Sequence, residues 1–348
     1  MHCANVGTLS PGELSTGRLV FSKGGKAWIL DHETSEPAVL SADWQSLSVS
    51  PFTGTIAWLS EDITFLDING KETSVPRPEN TGLITQWLQG DRVLVRVTQQ
   101  DDFLTPRMAK DELYEISPEA SKPTFHSLEM FGFLARGLLI NTYRSLPLYD
   151  PSFRVAFYAW QSDKDLQDEG MVLWDISGKR ALWEQTWPWP VELSGADWQL
   201  DGTHLVVSAP GLQEENRPEL ISISIDGTVT QLSNFHQTIS DAKQYYVLAP
   251  KWSPDERFIA FALNKNPLEP LTDRYLYVLD TTTGVMTDFC ISLVRSNLDF
   301  FWSPDSRQIA FTTDDNRELG IVDVINSQTW ALEFGEDSQR FRLYGWTK

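Results

Sequence analysis

Carboxylates crowd five polar segments of this chain: Thr98–Glu112, Trp160–Gly170, Ala209–Glu219, Asn264–Arg274 and Thr313–Glu318. They carry Asp101, Asp102, Asp163, Asp165, Asp168, Glu214, Glu215, Asp273, Asp314 and Asp315, with Arg107, Arg217, Arg274 and Arg317 between them. Such oxygen-rich loops can attract a basic partner, pair with their own arginines, or hold Ca²⁺ when a fold brings several together. No D-x-D-x-D-G loop orders them for calcium, so Ca²⁺ at this acidic face stays open and no other cofactor is expected.

Groups suited to acid–base or nucleophilic work are scattered. His2, His32, His126, His204 and His236 form no i, i+4 pair and no H-E-x-x-H, and no G-x-S-x-G elbow occurs. No catalytic residue and no metal ligand set is expected. Two cysteines cannot build a disulfide framework. Cys290, after the strand-like MTDF, reads as a small buried hydrophobe. Cys3 stands two residues after Met1 before a polar stretch, which resembles the mature end of a bacterial lipoprotein and makes Cys3 a candidate for lipidation. In TWPWP (Thr186–Pro190) the prolines hold two tryptophans that could stack on a sugar or a Pro-rich peptide, and the simpler role is an interblade linker that tucks its tryptophan into the core.

The elements that must carry these loops repeat. WSPDERFIAFAL (Trp252–Leu263) returns as WSPDSRQIAFTT (Trp302–Thr313). Weaker copies start at Val49, Trp87, Tyr149 and Trp198. Pro254 and Pro304 fix φ at a turn position, and Asp255 and Asp305 can accept main-chain N–H bonds in that turn. Near-continuous apolar runs follow, as suits strands buried on both faces. A second pattern, strand then Asp/Asn/Gly turn then strand, recurs at Phe65–Glu72, Trp174–Ala181, Ile223–Thr230, Val278–Met286 and Val322–Trp330. Two hairpins per unit make a four-stranded antiparallel module.

The termini complete the count. Phe341–Lys348 is an incoming strand whose Trp346 matches the aromatic before each turn, while RLVFS after Gly17 is the strand that should follow such a turn. The expected fold is therefore all-β: a seven-bladed β-propeller whose C-terminal strand joins the N-terminal blade and closes the ring. Residues 1–16 read as an N-terminal extension and 17–348 as a single propeller domain.

W-S-P-D-x-R followed by an apolar strand and LYVLD-x-x-TG resembles the TolB-type propeller repeat, a WD40-like pattern. The likeness is strong over Tyr245–Thr287 and Leu298–Gln328, fair over Trp198–Thr230 and weak before Tyr149. The resemblance implies an extracytoplasmic bacterial protein, at the periplasm or cell surface, that binds other proteins.

Composition narrows the partner. The formal charge is −20, from 48 acidic and 28 basic residues, which repels phosphate backbones and excludes nucleic acid as a main ligand. No segment reaches the roughly 18–20 consecutive apolar residues of a membrane span, so membrane contact would come only from a lipid anchor through Cys3. The expected function is a non-catalytic scaffold for a protein or peptide partner, basic in character, held at the long-loop face or the channel mouth. The alternatives are a propeller-type sugar lyase or hydrolase, and a structural subunit of a surface assembly. The long-loop residues Asp101, Asp102, Arg107, Asp163, Asp165, Asp168, Glu214, Glu215, Arg217, Asp273 and Arg274 are the candidate partner contacts, because the strand order sets them on the face opposite the S-P-D turns.

Overall fold

The computed structural model describes residues 6–9, 14–34, 37–41, 44–79, 81–98, 111–126, 138–140, 147–162, 169–187, 195–211, 217–238, 245–264, 274–293, 298–313, 318–332 and 340–348. Apolar runs bounded by turn residues pair into seven sheets, antiparallel except where β1 joins the last of them. After β1 (Val6–Leu9), the first blade takes β2 (Arg18–Lys23), β3 (Lys26–Asp31) and β4 (Ala38–Ser41). Blade 2 is β5 (Ser46–Val49), β6 (Ile56–Leu59), β7 (Ile63–Leu66) and β8 (Glu72–Val75). Blade 3 is β9 (Thr81–Leu88), β10 (Arg92–Thr98), β11 (Asp111–Ile116) and β12 (Thr124–His126).

Blade 4 starts with two short pieces, β13 (Leu138–Ile140) and β14 (Leu148–Tyr149), which both pair with β15 (Val155–Ser162). It continues with β16 (Glu169–Asp175) and β17 (Arg180–Trp187). Blade 5 is β18 (Ala196–Trp198), β19 (His204–Pro210), β20 (Pro218–Ser224) and β21 (Val229–Gln231), followed by the one-turn helix α1 (Phe235–Thr238). Blade 6 is β22 (Tyr246–Trp252), β23 (Phe258–Asn264), β24 (Arg274–Asp280) and β25 (Met286–Leu293). Blade 7 is β26 (Phe300–Trp302), β27 (Gln308–Thr312), β28 (Leu319–Asp323) and β29 (Gln328–Leu332), and the chain ends in β30 (Phe341–Thr347).

The expected closure is what the sheet order shows. β30 pairs antiparallel with β2, setting Trp346 opposite Leu19 and Phe341 opposite Lys23, so blade 1 runs β30-β2-β3-β4. A second closure was not foreseen. β1, within the stretch read as an extension, pairs parallel with β29 from Val6↔Thr329 to Leu9↔Leu332, which gives blade 7 a fifth strand. Strands of both ends thus cover edges that would otherwise be open to pairing.

The core lies between blades, not within them. Val206 and Leu220 of blade 5 pack with Trp252, Ile259 and Phe261 of blade 6. Leu276 and Phe258 of blade 6 pack with Trp302, Ile309 and Phe311 of blade 7. Second strands are sandwiched from both sides, and every residue of β23 and β27 is buried. Among the described residues no helix is long and apolar enough to cross a membrane.

The S-P-D turn is held as its composition demands. Asp255 Oδ1 accepts from Ser253 Oγ (2.5 Å) and from the Arg257 N–H (3.2 Å); Asp305 repeats both bonds with Ser303 and Arg307. The next residue is left-handed in each copy, Glu256 at φ 63° and Ser306 at φ 62°. Arg257 then reaches Asp280 at 2.7 Å, tying the S-P-D turn to the D-x-x-G turn of the same blade. Both turn sets therefore share one face of the ring. The carboxyl of Asp280 is held well below its usual range, chiefly by that guanidinium.

Cys290 corrects its sequence reading. It is half-buried and disulfide-bonded, not a free apolar filler. It holds φ 54° where the pairing of β24 with β25 shifts register, so the strand's in–out alternation does not carry its side chain into the core. Cys3 lies outside the described residues.

Candidate functional site

Each first strand carries an apolar residue, in most blades a tryptophan, at or beside its last position before the turn. Trp346, Trp87, Trp198, Trp252 and Trp302 hold this place in blades 1, 3, 5, 6 and 7, while Val49 and Tyr149 hold it in blades 2 and 4. The preceding residues are Gly345, Gln86, Asp197, Lys251, Phe301, Ser48 and Leu148. First strands from all seven blades converge on one cavity of about 350 Å³, so they are the innermost strands and the cavity lies on the ring axis. Pro51, Pro151, Pro254 and Pro304 from the turns also line it, which puts its mouth on the S-P-D face.

An innermost strand has one edge without a neighbouring strand, and its main-chain groups need partners from elsewhere. Side chains of the preceding blade supply them. Gln86 Oε1 accepts the Tyr149 N–H at 2.9 Å, and Asp197 Oδ2 accepts the Trp252 N–H at 2.8 Å. Lys251 Nζ donates to the Phe300 carbonyl at 2.9 Å. Bonds in the other direction come from the tryptophans: Trp302 Nε1 to the Lys251 carbonyl (3.1 Å) and Trp87 Nε1 to Ser48 Oγ (2.9 Å). The indole N–H groups of Trp198 and Trp252 have no hydrogen-bond partner among the described residues.

The large residues are buried, as their recurrence predicts: Trp252 is 9% and Trp302 7% exposed. Trp302 stacks on Phe258 of blade 6, with ring centroids 6.1 Å apart and planes at 22°. What remains half-exposed in the cavity is mainly apolar (Phe52, Leu148, Phe301, Pro254, Pro304) together with Gln86, Asp197 and Lys251.

Asp197 and Lys251 are the charged residues of the walls, on adjacent blades at the same register. Burial pushes the Asp197 carboxyl up to about 7, against the Trp252 N–H and the Lys251 charge, which pull it down. Burial pushes Lys251 down, opposed by Asp197 and Asp299. Its ammonium stands 4.0 Å from the centre of the Phe301 ring and 5.2 Å from that of Phe300, a cation–π contact with blade 7. Asp299 behind it is raised by burial, and Arg342 Nε stands 3.8 Å from its Oδ2. Lys348 is exposed at the mouth.

The residues singled out from sequence fall elsewhere. Asp101, Asp102, Arg107, Asp163, Asp165, Asp168, Glu214, Glu215 and Asp273 lie outside the described residues, as do Asp314, Asp315 and Arg317. Arg217 just precedes β20 and Arg274 opens β24, both half-buried. All five loops connect the second and third strands of their blades, the slot expected for them. Of the histidines with described side chains, His126 bonds Glu115 (3.0 Å), His204 bonds Gln199 (3.0 Å) and His32 meets the Gly17 carbonyl (3.2 Å). None of these three lines the cavity. Among the described residues no three His, Cys, Asp or Glu side chains gather as a metal site would need.

Sequence reading missed Asp197 and Lys251 as a pair. The signal was present, since each immediately precedes a repeat tryptophan, but it has meaning only once the first strands are known to surround the axis.

The arrangement defines a seven-bladed β-propeller with an axial, aromatic-walled cavity on its short-turn face. No protein-family model and no curated protein sequence matches the chain. Solved structures do, at the level of fold. TolB from Acinetobacter baumannii is 12% identical, with a TM-score of 0.46, over 92% of this chain and 79% of that one. A eukaryotic initiation factor is 12% identical with a TM-score of 0.50, over 94% and 85%. A puromycin hydrolase is 11% identical with a TM-score of 0.54, over 95% of this chain but 56% of that one. These likenesses are ones of fold, and identities this low carry no function with them.

Proposed function

We propose that the protein is a non-catalytic interaction scaffold that receives a segment of a protein or peptide partner in the axial cavity of its S-P-D face. The observation that carries this is the convergence of all seven innermost strands on one cavity of about 350 Å³, mainly apolar, with Lys348 at its mouth and Asp197 and Lys251 as the charged groups of its walls. That size is at the small end of ligand sites, enough for one or two side chains of an inserted segment and not for a folded domain. Both charged groups already serve as pins between blades through Trp252 N–H and Phe300 carbonyl. A pair so engaged fits a rigid binding wall better than a reacting pair that must exchange partners.

Leu148 is half-buried on the cavity wall. Filling the mouth with Leu148→Trp tests the reading. Partner proteins captured from extracts of the source organism by the wild-type ring should be lost with the variant, while its melting transition persists. Capture that is unchanged by Leu148→Trp places the partner elsewhere, with the acidic long-loop face the next surface to block.

A further inference from the structure

We infer that the inserted segment presents a basic side chain, lysine or arginine, and that Asp197 is its anchor. This rests on the channel-mouth reading and goes on to name the chemistry it selects. Asp197 Oδ2 accepts the Trp252 N–H, and no cation of the described residues stands within 4 Å of the carboxylate. Its neighbours are already provided for. Lys251 donates to the Phe300 carbonyl and lies over the Phe301 ring, and Asp299 has Arg342 at 3.8 Å. In this corner Asp197 is thus the carboxylate with no cation of the described residues in close contact, the Lys251 charge acting on it from beyond 4 Å.

The surroundings suit such a ligand. Trp198, Trp252, Leu148 and Phe301 line the same cavity, so the aliphatic stem of a lysine or arginine can lie on apolar wall while its head meets the carboxylate. Exclusion of water by those walls strengthens the ion pair relative to one on an open surface. Lys251 is the charge that opposes the newcomer, and its ammonium is engaged with the Phe300 carbonyl and the Phe301 ring. Exposed Lys348 at the mouth adds a second, screened positive charge. The field of a chain with net charge −20 draws basic segments towards the ring before contact. A bound cation also offsets the cost that burial places on the ionised Asp197.

The test uses the blocked peptide Ac-Ala-Arg-Ala-NH2 and its neutral isostere with citrulline in place of arginine. Binding is read by the fluorescence of the cavity tryptophans in the full chain. The arginine peptide should bind roughly tenfold more tightly at about pH 8. That preference should fall towards unity at about pH 5.5, as Asp197 takes up a proton. It should vanish in Asp197→Asn, which keeps an amide oxygen for the Trp252 N–H. If Asp197→Asn does not fold, the pH series on the unaltered protein decides the question by itself. Equal binding of the two peptides, or an arginine preference that survives Asp197→Asn or ignores pH, overturns the assignment. If Leu148→Trp abolishes binding of both peptides alike and charge never matters, the channel-mouth reading stands and the basic anchor falls. Peptide binding indifferent to Leu148→Trp removes the channel-mouth reading itself, and failure of both peptides to bind at about 10 mM counts against both.

Discussion

Trp346 donates its indole N–H to the carbonyl of Thr16 at 2.7 Å, joining residues 330 apart in sequence. Beside it, Gly17 holds φ 73°, and a Cβ there would stand 1.9 Å from the Thr347 carbonyl oxygen. The ring is thus fastened by main chain packed too closely for any side chain. Removing Phe341–Lys348 should leave β2 and the blade 7 face of blade 1 uncovered, and the chain should lose its cooperative melting transition. Gly17→Ala should lower stability by more than the roughly 1 kcal/mol expected of an ordinary glycine exchange. A truncated chain that melts like the full one would show that β1 on β29 closes the ring unaided.

The repeat tryptophans differ in one bond. Trp302 and Trp252 are both buried between blades, so either change to alanine should cost about 3–5 kcal/mol in urea unfolding. Trp302 Nε1 bonds the Lys251 carbonyl, whereas Trp252 Nε1 has no partner among the described residues. Trp302→Phe should therefore cost about 1 kcal/mol more than Trp252→Phe. Equal losses would mean that the Lys251 carbonyl finds another donor.

Blade number, strand order and closure were legible because they rest on local chemistry that repeats: a proline and an aspartate in one turn, a glycine or asparagine in the next. The structural role expected of Asp255 and Asp305 follows from the same chemistry, and their bonds to Ser253 and Ser303 bear it out. The cavity was not legible. Asp197 and Lys251 are 54 residues apart, as the difference of their numbers, and nothing local marks either as facing an axis. β1 was missed for a related reason, since a four-residue strand that pairs in parallel with a strand about 320 residues away carries no turn signal. Cys290 misled because its position after MTDF suggests regular alternation, which the register shift breaks.

Glu219 shows how an acidic loop boundary hides a core residue. It is 1% exposed and accepts bonds from Ser233 Oγ, the Phe235 N–H (2.9 Å) and Tyr245 Oη (3.4 Å), so it fixes the turn into α1. Glu219→Ala would strand those donors in a dry site and should cost about 3 kcal/mol. Glu219→Gln keeps one acceptor oxygen and should cost clearly less. Urea titration of the two variants decides it: similar losses would mean that volume, and not the acceptor, is what the site needs.

Burial of Asp197 has a consequence for stability that can be read without any ligand. Its carboxyl titrates at about 7 in the folded chain, above the ordinary carboxyl range that the unfolded chain shows. Between about pH 4 and about pH 7 the folded state therefore keeps a proton that the unfolded state has released, and stability falls as pH rises through that window. Asp299, also raised by burial, acts in the same direction. Lys251 is lowered, so where its folded form has released a proton that the unfolded form still holds, its contribution rises with pH, up to the usual lysine range. Asp197→Asn removes one falling component and leaves the others. The melting temperature of the variant should gain on the wild type steadily from about pH 4.5 to about pH 7.5, then run parallel to it. Curves parallel throughout would show that the carboxyl is ordinarily hydrated, and the case for a desolvated anchor on the cavity wall would fail with it.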